Sequence, residues 1–216
     1  MNLPSMPGRF IAIEGTDGAG TSTQGDLLAQ WLVERGLEVL RLAQPSHLEG
    51  GQLIRRILRH ELGVIDAATV ALLFAADRVD LCERVIAPAL ARGAWVVCDR
   101  HLGSSLAFQV VDGAGGIDPD WLLAVNSKAL TADLTLWIDV PVPVALQRIA
   151  ARGKPIERFE VAATLERVRA RYAEVARQPP AQLGAIATID GQPARDVVAY
   201  AIRTQLLDAL AVPELR

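Results

Sequence analysis

An α/β protein with a five-stranded parallel sheet covered by helices on both faces is expected from three observations. Apolar runs of strand length alternate with longer stretches of helical spacing from one end of the chain to the other. A glycine-rich loop falls between the first such strand and the first helix, the context that makes a phosphate-binding turn credible. The chain's 216 residues are 51% hydrophobic, enough to bury one substantial core, so a single domain over 1–216 is expected.

Strands are expected at 9–14, 38–43, 94–98, 133–139 and 185–190. Helices are expected at 21–35, 49–60, 66–91, 103–110, 119–127, 141–151, 159–177 and 194–210. Phe10-Ile11-Ala12-Ile13 reads as a buried strand, and Gly15-Thr16-Asp17-Gly18-Ala19-Gly20 is too rich in glycine for helix or sheet. From Thr21 the spacing of Leu27, Leu28, Trp31 and Leu32 turns helical. Val110 to Gly116 reads as a mobile polar loop, and Pro179-Pro180 ends a helix. Ligands of such sheets bind beyond the carboxyl ends of the strands. Those ends carry Asp17, then Gln44-Pro45-Ser46, then Asp99-Arg100-His101, then Asp139.

A net charge of −3 argues against general attraction to nucleic acid. No apolar run approaches the ~18 residues of a membrane span and no signal-peptide pattern opens the chain, so no membrane partner and a cytoplasmic location are expected. Cys82 and Cys98 suit that compartment as buried thiols, and His47, His60 and His101 show no zinc-ligand spacing. Of 22 basic residues only Lys128 and Lys154 are lysines, which matters for the loop.

The loop fits the phosphate-binding template G-x-x-x-x-G-K-[ST] at Gly15, Gly20 and Ser22, but Thr21 stands at the lysine position. Backbone amides across Gly18, Ala19, Gly20, Thr21, Ser22 and Thr23, with the positive end of the helix, make an anion site without any side chain. Ser22 is placed to hold Mg²⁺, whereas Thr21 supplies a hydrogen bond and no charge. Asp99-Arg100, at the mouth of an apolar strand, is either a solvated cap or a metal and phosphate clamp. Phe74 and Arg78 share a helix face, either as core residue and snorkelling cation or as an aromatic platform beside a donor for a planar base. Arg152, Lys154 and Arg158 flank the helix breakers Gly153 and Pro155, as a bland basic loop or as a lid over phosphates. Arg167, Arg169 and Arg171 read as a solvated helix face.

Taken together, FIAIEGTDGAG, LLFAADR, VIAPALARGAWVVCDRH, SSLAFQ, DLTLWIDV, RVRARYAEVA and IATID resemble thymidylate kinases, of the P-loop nucleoside-monophosphate kinase group, over nearly the whole chain. The resemblance implies a P-loop NTPase-type three-layer α/β/α fold with a short lid at about 150–160 and a homodimer. It implies ATP as co-substrate, Mg²⁺, and the reaction ATP + dTMP to ADP + dTDP. By the same resemblance Phe74 stacks on thymine, Arg78 bonds its carbonyl edge and Arg100 holds the monophosphate. Asp17 and Asp99 lie near the metal, Pro45, Ser104 and Ser105 contact the acceptor nucleotide, and Phe108 crowds a ribose 2′-hydroxyl. Gly18 in the loop and Arg152 and Arg158 in the lid match members that keep a catalytic arginine in the lid. Two departures stand out: Thr21 for lysine, and Ala43-Gln44-Pro45-Ser46 where many relatives have Arg-Glu-Pro-Gly. The missing lysine implies slow transfer. A nucleotide-binding protein without turnover and a kinase for another monophosphate are the alternatives.

Overall fold

The structure, a computed structural model, describes residues 7–112, 116–153, 158–212 and 215. Among these, five strands form one parallel sheet: β1 Phe10–Gly15, β2 Val39–Ala43, β3 Trp95–Asp99, β4 Leu134–Asp139 and β5 Ala185–Asp190. Their order is β2-β3-β1-β4-β5, so the loop-bearing strand is central. Phe10 pairs with Val96 on one side and Ile11 with Leu134 on the other. Both faces of β1 are buried, which is why it reads as a continuous apolar run rather than an alternating one.

Alternate residues feed two cores. Ile11 and Ile13 point to a cluster with Leu28, Trp31, Val198 and Ile202, beneath α1 (Thr21–Val33) and α9 (Arg195–Leu210). Phe10 and Ala12 point to the opposite cluster with Leu81, Cys82, Ile86 and Cys98, beneath α3 (Ala67–Leu81) and α4 (Ala87–Ala91). Cys82 and Cys98 are free and buried there, and burial pushes both thiols up.

The remaining helices are α2 Glu49–Leu58, α5 Leu102–Ser104, α6 Pro119–Val125, α7 Val142–Ala151 and α8 Ala162–Arg177. The helix expected over 66–91 is interrupted by a π turn at Cys82–Ile86. Pro88 explains the position: without an N–H it cannot continue the ordinary ladder, and the Ala87 amide bonds five residues back to the Cys82 carbonyl. A second π turn, Ser105–Gln109, fills most of the helix expected at 103–110. A 3₁₀ turn at Ala181–Leu183, not expected from spacing, follows the Pro179-Pro180 pair. Residues 113–115 of the glycine-rich loop, and Lys154 with residues 155–157, lie outside the described residues.

Candidate active site at the carboxyl edge of the sheet

The loop between β1 and α1 needs glycine at two left-handed positions, Gly18 (φ 79°) and Gly20 (φ 94°). A Cβ at Gly18 would run into the Ala145 carbonyl on α7, while among the described residues nothing lies within 4 Å of where a Cβ on Gly20 would stand. One glycine therefore packs the loop down and the other keeps its mouth open. Among the described residues no side chain caps α1, which leaves its first amides available to an anion. Thr21 is buried, with its methyl 3.0 Å from the space a Cβ on Gly15 would take, and adds no charge to that mouth.

Ser22 Oγ donates to Asp99 Oδ2 at the end of β3. Asp99 Oδ1 is buried and has no partner among the described residues. An orphaned carboxylate oxygen beside a hydroxyl is a hard-oxygen donor set that fits Mg²⁺. No group of three or more His, Cys, Asp or Glu side chains among the described residues could hold a metal. A cation here would therefore take its remaining ligands from water and phosphate, as Mg²⁺ commonly does.

Arg100 joins this loop to the neighbouring pocket. It follows β3 with φ 69°, a left-handed conformation strained for a side chain of its size. Its Nη1 donates to the Gly15 carbonyl at 2.5 Å and its Nη2 to Asp17 Oδ1 at 2.7 Å, while the guanidinium lies 4.8 Å over the Phe108 ring. Burial opposes its charge, but Asp17, Tyr172, Asp99 and Glu14 outweigh burial and hold it protonated. Burial raises the Asp17 carboxyl, against the pull of Arg100. Beneath them Glu14, on β1, is buried and saturated. It accepts from the His101 amide at 2.8 Å, Ser104 Oγ at 2.5 Å and Tyr172 Oη at 3.0 Å. Burial, then Glu14, pushes the Tyr172 phenol well up, so it remains a donor.

One pocket brings together Pro45, Phe74, Arg78, Arg100, Ser104, Ser105 and Phe108, the full set expected to meet an acceptor nucleotide. Asp17 lies at its loop side and Phe159 at its outer wall, packed edge-to-face on Phe108 at 5.3 Å. Arg78 does not snorkel. It is 1% exposed and donates to Gln44 Oε1 (3.1 Å), the His101 carbonyl (3.1 Å), Ser105 Oγ (2.7 Å) and Asn126 Oδ1. Gln44 precedes Pro45 through a cis peptide and turns its amide nitrogen to His101 Nδ1 at 3.3 Å. The other ring nitrogen donates to the Leu130 carbonyl at 2.8 Å, which fixes the neutral tautomer. Burial and then Arg78 lower the His101 pKa to about 3. Ser46 Oγ and its amide both bond Asp77, at 2.5 and 2.8 Å, tying the β2 turn to α3.

Beyond the pocket, Arg152 pairs with Glu160 at 2.6 Å, and Arg158 grips Asp112 at 3.1 Å. Arg148, unremarked in the sequence, lies 3.4 Å from the Ala19 carbonyl and 2.9 Å from that of Gly191. Arg169 is not part of a solvated face. It forms a bidentate pair with Asp139 at 2.7 and 2.9 Å, because the carboxylate ending β4 meets its fork side-on. Gln44 and His101 were placed at the ligand-binding strand ends without a role, whereas Glu14, Asn126, Phe159 and Tyr172 are the residues of this site that sequence reasoning missed. Of these only Glu14 carried a signal, a charge inside an apolar strand.

A family model described as thymidylate kinase matches residues 13–198. A protein of Pyrococcus horikoshii named "Probable thymidylate kinase" is 43% identical over 180 residues, covering 81% of this chain and 86% of its own. Proteins named thymidylate kinase from Rhizorhabdus wittichii (41% identical over 213 residues) and Methylococcus capsulatus (41% over 215) each match over 95% of this chain and 98% of their own.

Proposed function

The chain belongs to the thymidylate kinase family, and from that premise we propose that it transfers the γ-phosphoryl group of ATP to dTMP, giving ADP and dTDP. The observation that carries the reading is the single pocket holding all seven expected acceptor residues, joined to the phosphate loop through Arg100 and Asp17. In this reading a dTMP phosphate oxygen attacks the γ-phosphorus in line, and the bond to the β–γ bridging oxygen breaks to release ADP. Amides of Gly18, Gly20, Thr21, Ser22 and Thr23, in the loop opened by Gly15, hold the donor phosphates, while the Ala19 amide is given to the Thr16 carbonyl at 3.1 Å and closes the turn. Phe74 carries the base, with Pro45, Arg78, Ser104 and Ser105 around it and Phe108 against the sugar. Arg100 orients the acceptor phosphate, and Arg152 and Arg158 add positive charge from the lid. Mg²⁺, when bound at Ser22 and Asp99 near Asp17, neutralises phosphate charge.

Among the described residues no helix is long and apolar enough to cross a membrane. Family membership supports a cytoplasmic homodimer acting on free nucleotides rather than nucleic acid. Thr21 favours a second reading, a nucleotide-binding protein without turnover.

ADP release with Mg-ATP and each of dTMP, dUMP, UMP and CMP separates the readings. Turnover highest with dTMP supports the first. Calorimetric binding of ADP with no turnover for any monophosphate supports the second. Phe74→Ala should weaken dTMP binding by roughly 1–3 kcal/mol, the scale of one stacked base.

A further inference from the structure

Transfer between phosphates needs fixed positive charge beside the donor, and the loop has none at Thr21. Arg100 is tied to Asp17, Arg152 to Glu160 and Arg158 to Asp112, and Arg148 is spent on the Ala19 and Gly191 carbonyls. Lys128 lies in the connection leading into the amino end of β4, away from the loop.

Arg41, on edge strand β2, is also paired, but its carboxylate partner Asp26 is largely exposed and screened by water, whereas Glu160 is buried and Asp17 half-buried. Its side chain crosses the first turn of α1, where Nη2 donates to the Ser22 carbonyl at 3.1 Å. The same nitrogen stands 3.8 Å from Asp99 Oδ2, the oxygen that accepts from Ser22 Oγ. Nε is held by Asp26 at 2.9 Å and Nη1 by the Leu42 carbonyl, so the guanidinium is fixed on three sides. One Nη2 proton is used by none of these bonds.

A second feature makes room for it. Gly25 sits in the interior of α1, where glycine is unfavourable relative to alanine. A Cβ there would stand 2.5 Å from Arg41 Nη2, 2.6 Å from Cζ and 2.9 Å from Nε. The missing side chain is a notch in the helix, and the guanidinium lies in it.

We propose that Arg41, seated in the notch at Gly25, supplies the fixed positive charge beside the phosphate loop that Thr21 does not. The proposal rests on the kinase reading and adds to it a residue of this chain's own. The bland account is that Arg41 merely straps β2 to α1. The two accounts differ in what happens when charge is returned to the loop.

The test uses the full chain with Arg41→Met, Arg41→Lys and Gly25→Ala, each alone and combined with Thr21→Lys. Arg41→Met should lower kcat for dTMP about 10²-fold or more, the scale of losing one fixed donor. Its calorimetric affinity for Mg-ATP should fall about tenfold while its dTMP affinity stays within about twofold, a ratio set by the charge removed. Arg41→Lys should keep most of the rate. Thr21→Lys should recover at least about tenfold of kcat in the Arg41→Met background and gain less in the parent, a non-additive pair. Gly25→Ala covers the case in which Arg41→Met does not fold. It pushes the guanidinium off its bonds to Ser22 and Asp26 but adds a better helix former, so it should lower kcat while thermal stability changes little. An Arg41→Met or Gly25→Ala protein that keeps parental kcat and Mg-ATP affinity overturns the proposal. So does a loss of equal size in both loop backgrounds. A parent without ADP release, with or without Thr21→Lys, would instead fail the kinase reading, and the Mg-ATP affinities would still judge Arg41.

Discussion

Replacing Arg78 by methionine keeps an unbranched apolar stem and removes the guanidinium, with its charge and every donor. Four acceptors are then left inside the protein: Gln44 Oε1, Asn126 Oδ1, the His101 carbonyl and Ser105 Oγ. Hydrogen bonds to a charged group are worth about 1.5–3 kcal/mol each. Their sum overshoots, because the parent also bears the cost of keeping a cation at 1% exposure, several kcal/mol per ion. Burial already draws the Arg78 pKa down, the sign of that cost. A net loss of about 3 kcal/mol remains once the two are set against each other. In a chain of 216 residues each kcal/mol moves Tm by about 2–4 °C, so a fall of about 6–12 °C is expected. Far-UV circular dichroism melts, without nucleotide, measure it. A Tm within about 2 °C of the parent would refute the view that Arg78 holds Gln44, Asn126, His101 and Ser105 together. Loss of dTMP affinity with that unchanged Tm would assign Arg78 to the ligand alone.

Three further outcomes follow from the same geometry. The His101 pKa is lowered to about 3 in the fold against about 6.5 unfolded, so the unfolded chain takes up the proton first. Its contribution to stability is therefore complete above about pH 6.5 and is lost as pH falls toward 3, amounting to about 2 kcal/mol by pH 5. Urea melts of His101→Gln should show a flatter acid slope, and parallel slopes would refute the assignment. Gly18→Ala places a Cβ at φ 79° against the Ala145 carbonyl, so ADP affinity should fall at least about tenfold, the scale of 1–3 kcal/mol of backbone strain. Unchanged calorimetric affinity would show that the loop adapts. Arg158→Ala should cost about 10³ in kcat and leave dTMP affinity nearly intact, whereas unchanged turnover would reduce its bond with Asp112 to a structural one.

Local features were readable from the sequence because local rules produce them. Apolar runs located all five strands to within a residue, and the central β1, β3 and β4, buried on both faces, have few polar positions to blur their ends. The loop glycines were readable because a left-handed turn before a helix admits few other residues. The π turns were not, because one inserted residue shifts helical phase without changing composition, and Pro88 alone does not say how its missing N–H is absorbed. Nor were contacts between residues far apart in the chain. Tyr172 reaches Glu14 across 158 positions and reads by itself as one more apolar residue of α8. Asn126 looks like a helix terminator and is one, capping α6, but its side-chain oxygen also accepts from Arg78. Arg169 and Arg41 look like solvated charges until β4 and α1 are laid beside them.

The arrangement around Arg100 suggests why so many charges are gathered under so small a pocket. Glu14 is the fixed element, with Ser104, Tyr172 and the His101 amide filling its lone pairs, so it asks nothing further of a ligand. That network sits under Arg100 and, after Asp17, helps hold its positive charge in place despite burial. Asp17 is the movable counterpart, a partly exposed carboxylate whose described ion pair is with Arg100. In the kinase reading an acceptor phosphate competes with Asp17 for the same guanidinium. Once displaced, Asp17 would carry its charge toward Asp99, where burial, then Glu160 and Asp99, already disfavour ionisation. A cation at the Ser22–Asp99 pair relieves that repulsion. Acceptor binding and metal binding would then favour each other through Arg100 and Asp17 without any movement of the sheet. Asp17→Asn should abolish this coupling, so that the calorimetric dTMP affinity, which should rise with Mg²⁺ in the parent, becomes independent of it. A magnesium dependence that survives in Asp17→Asn would place the coupling elsewhere.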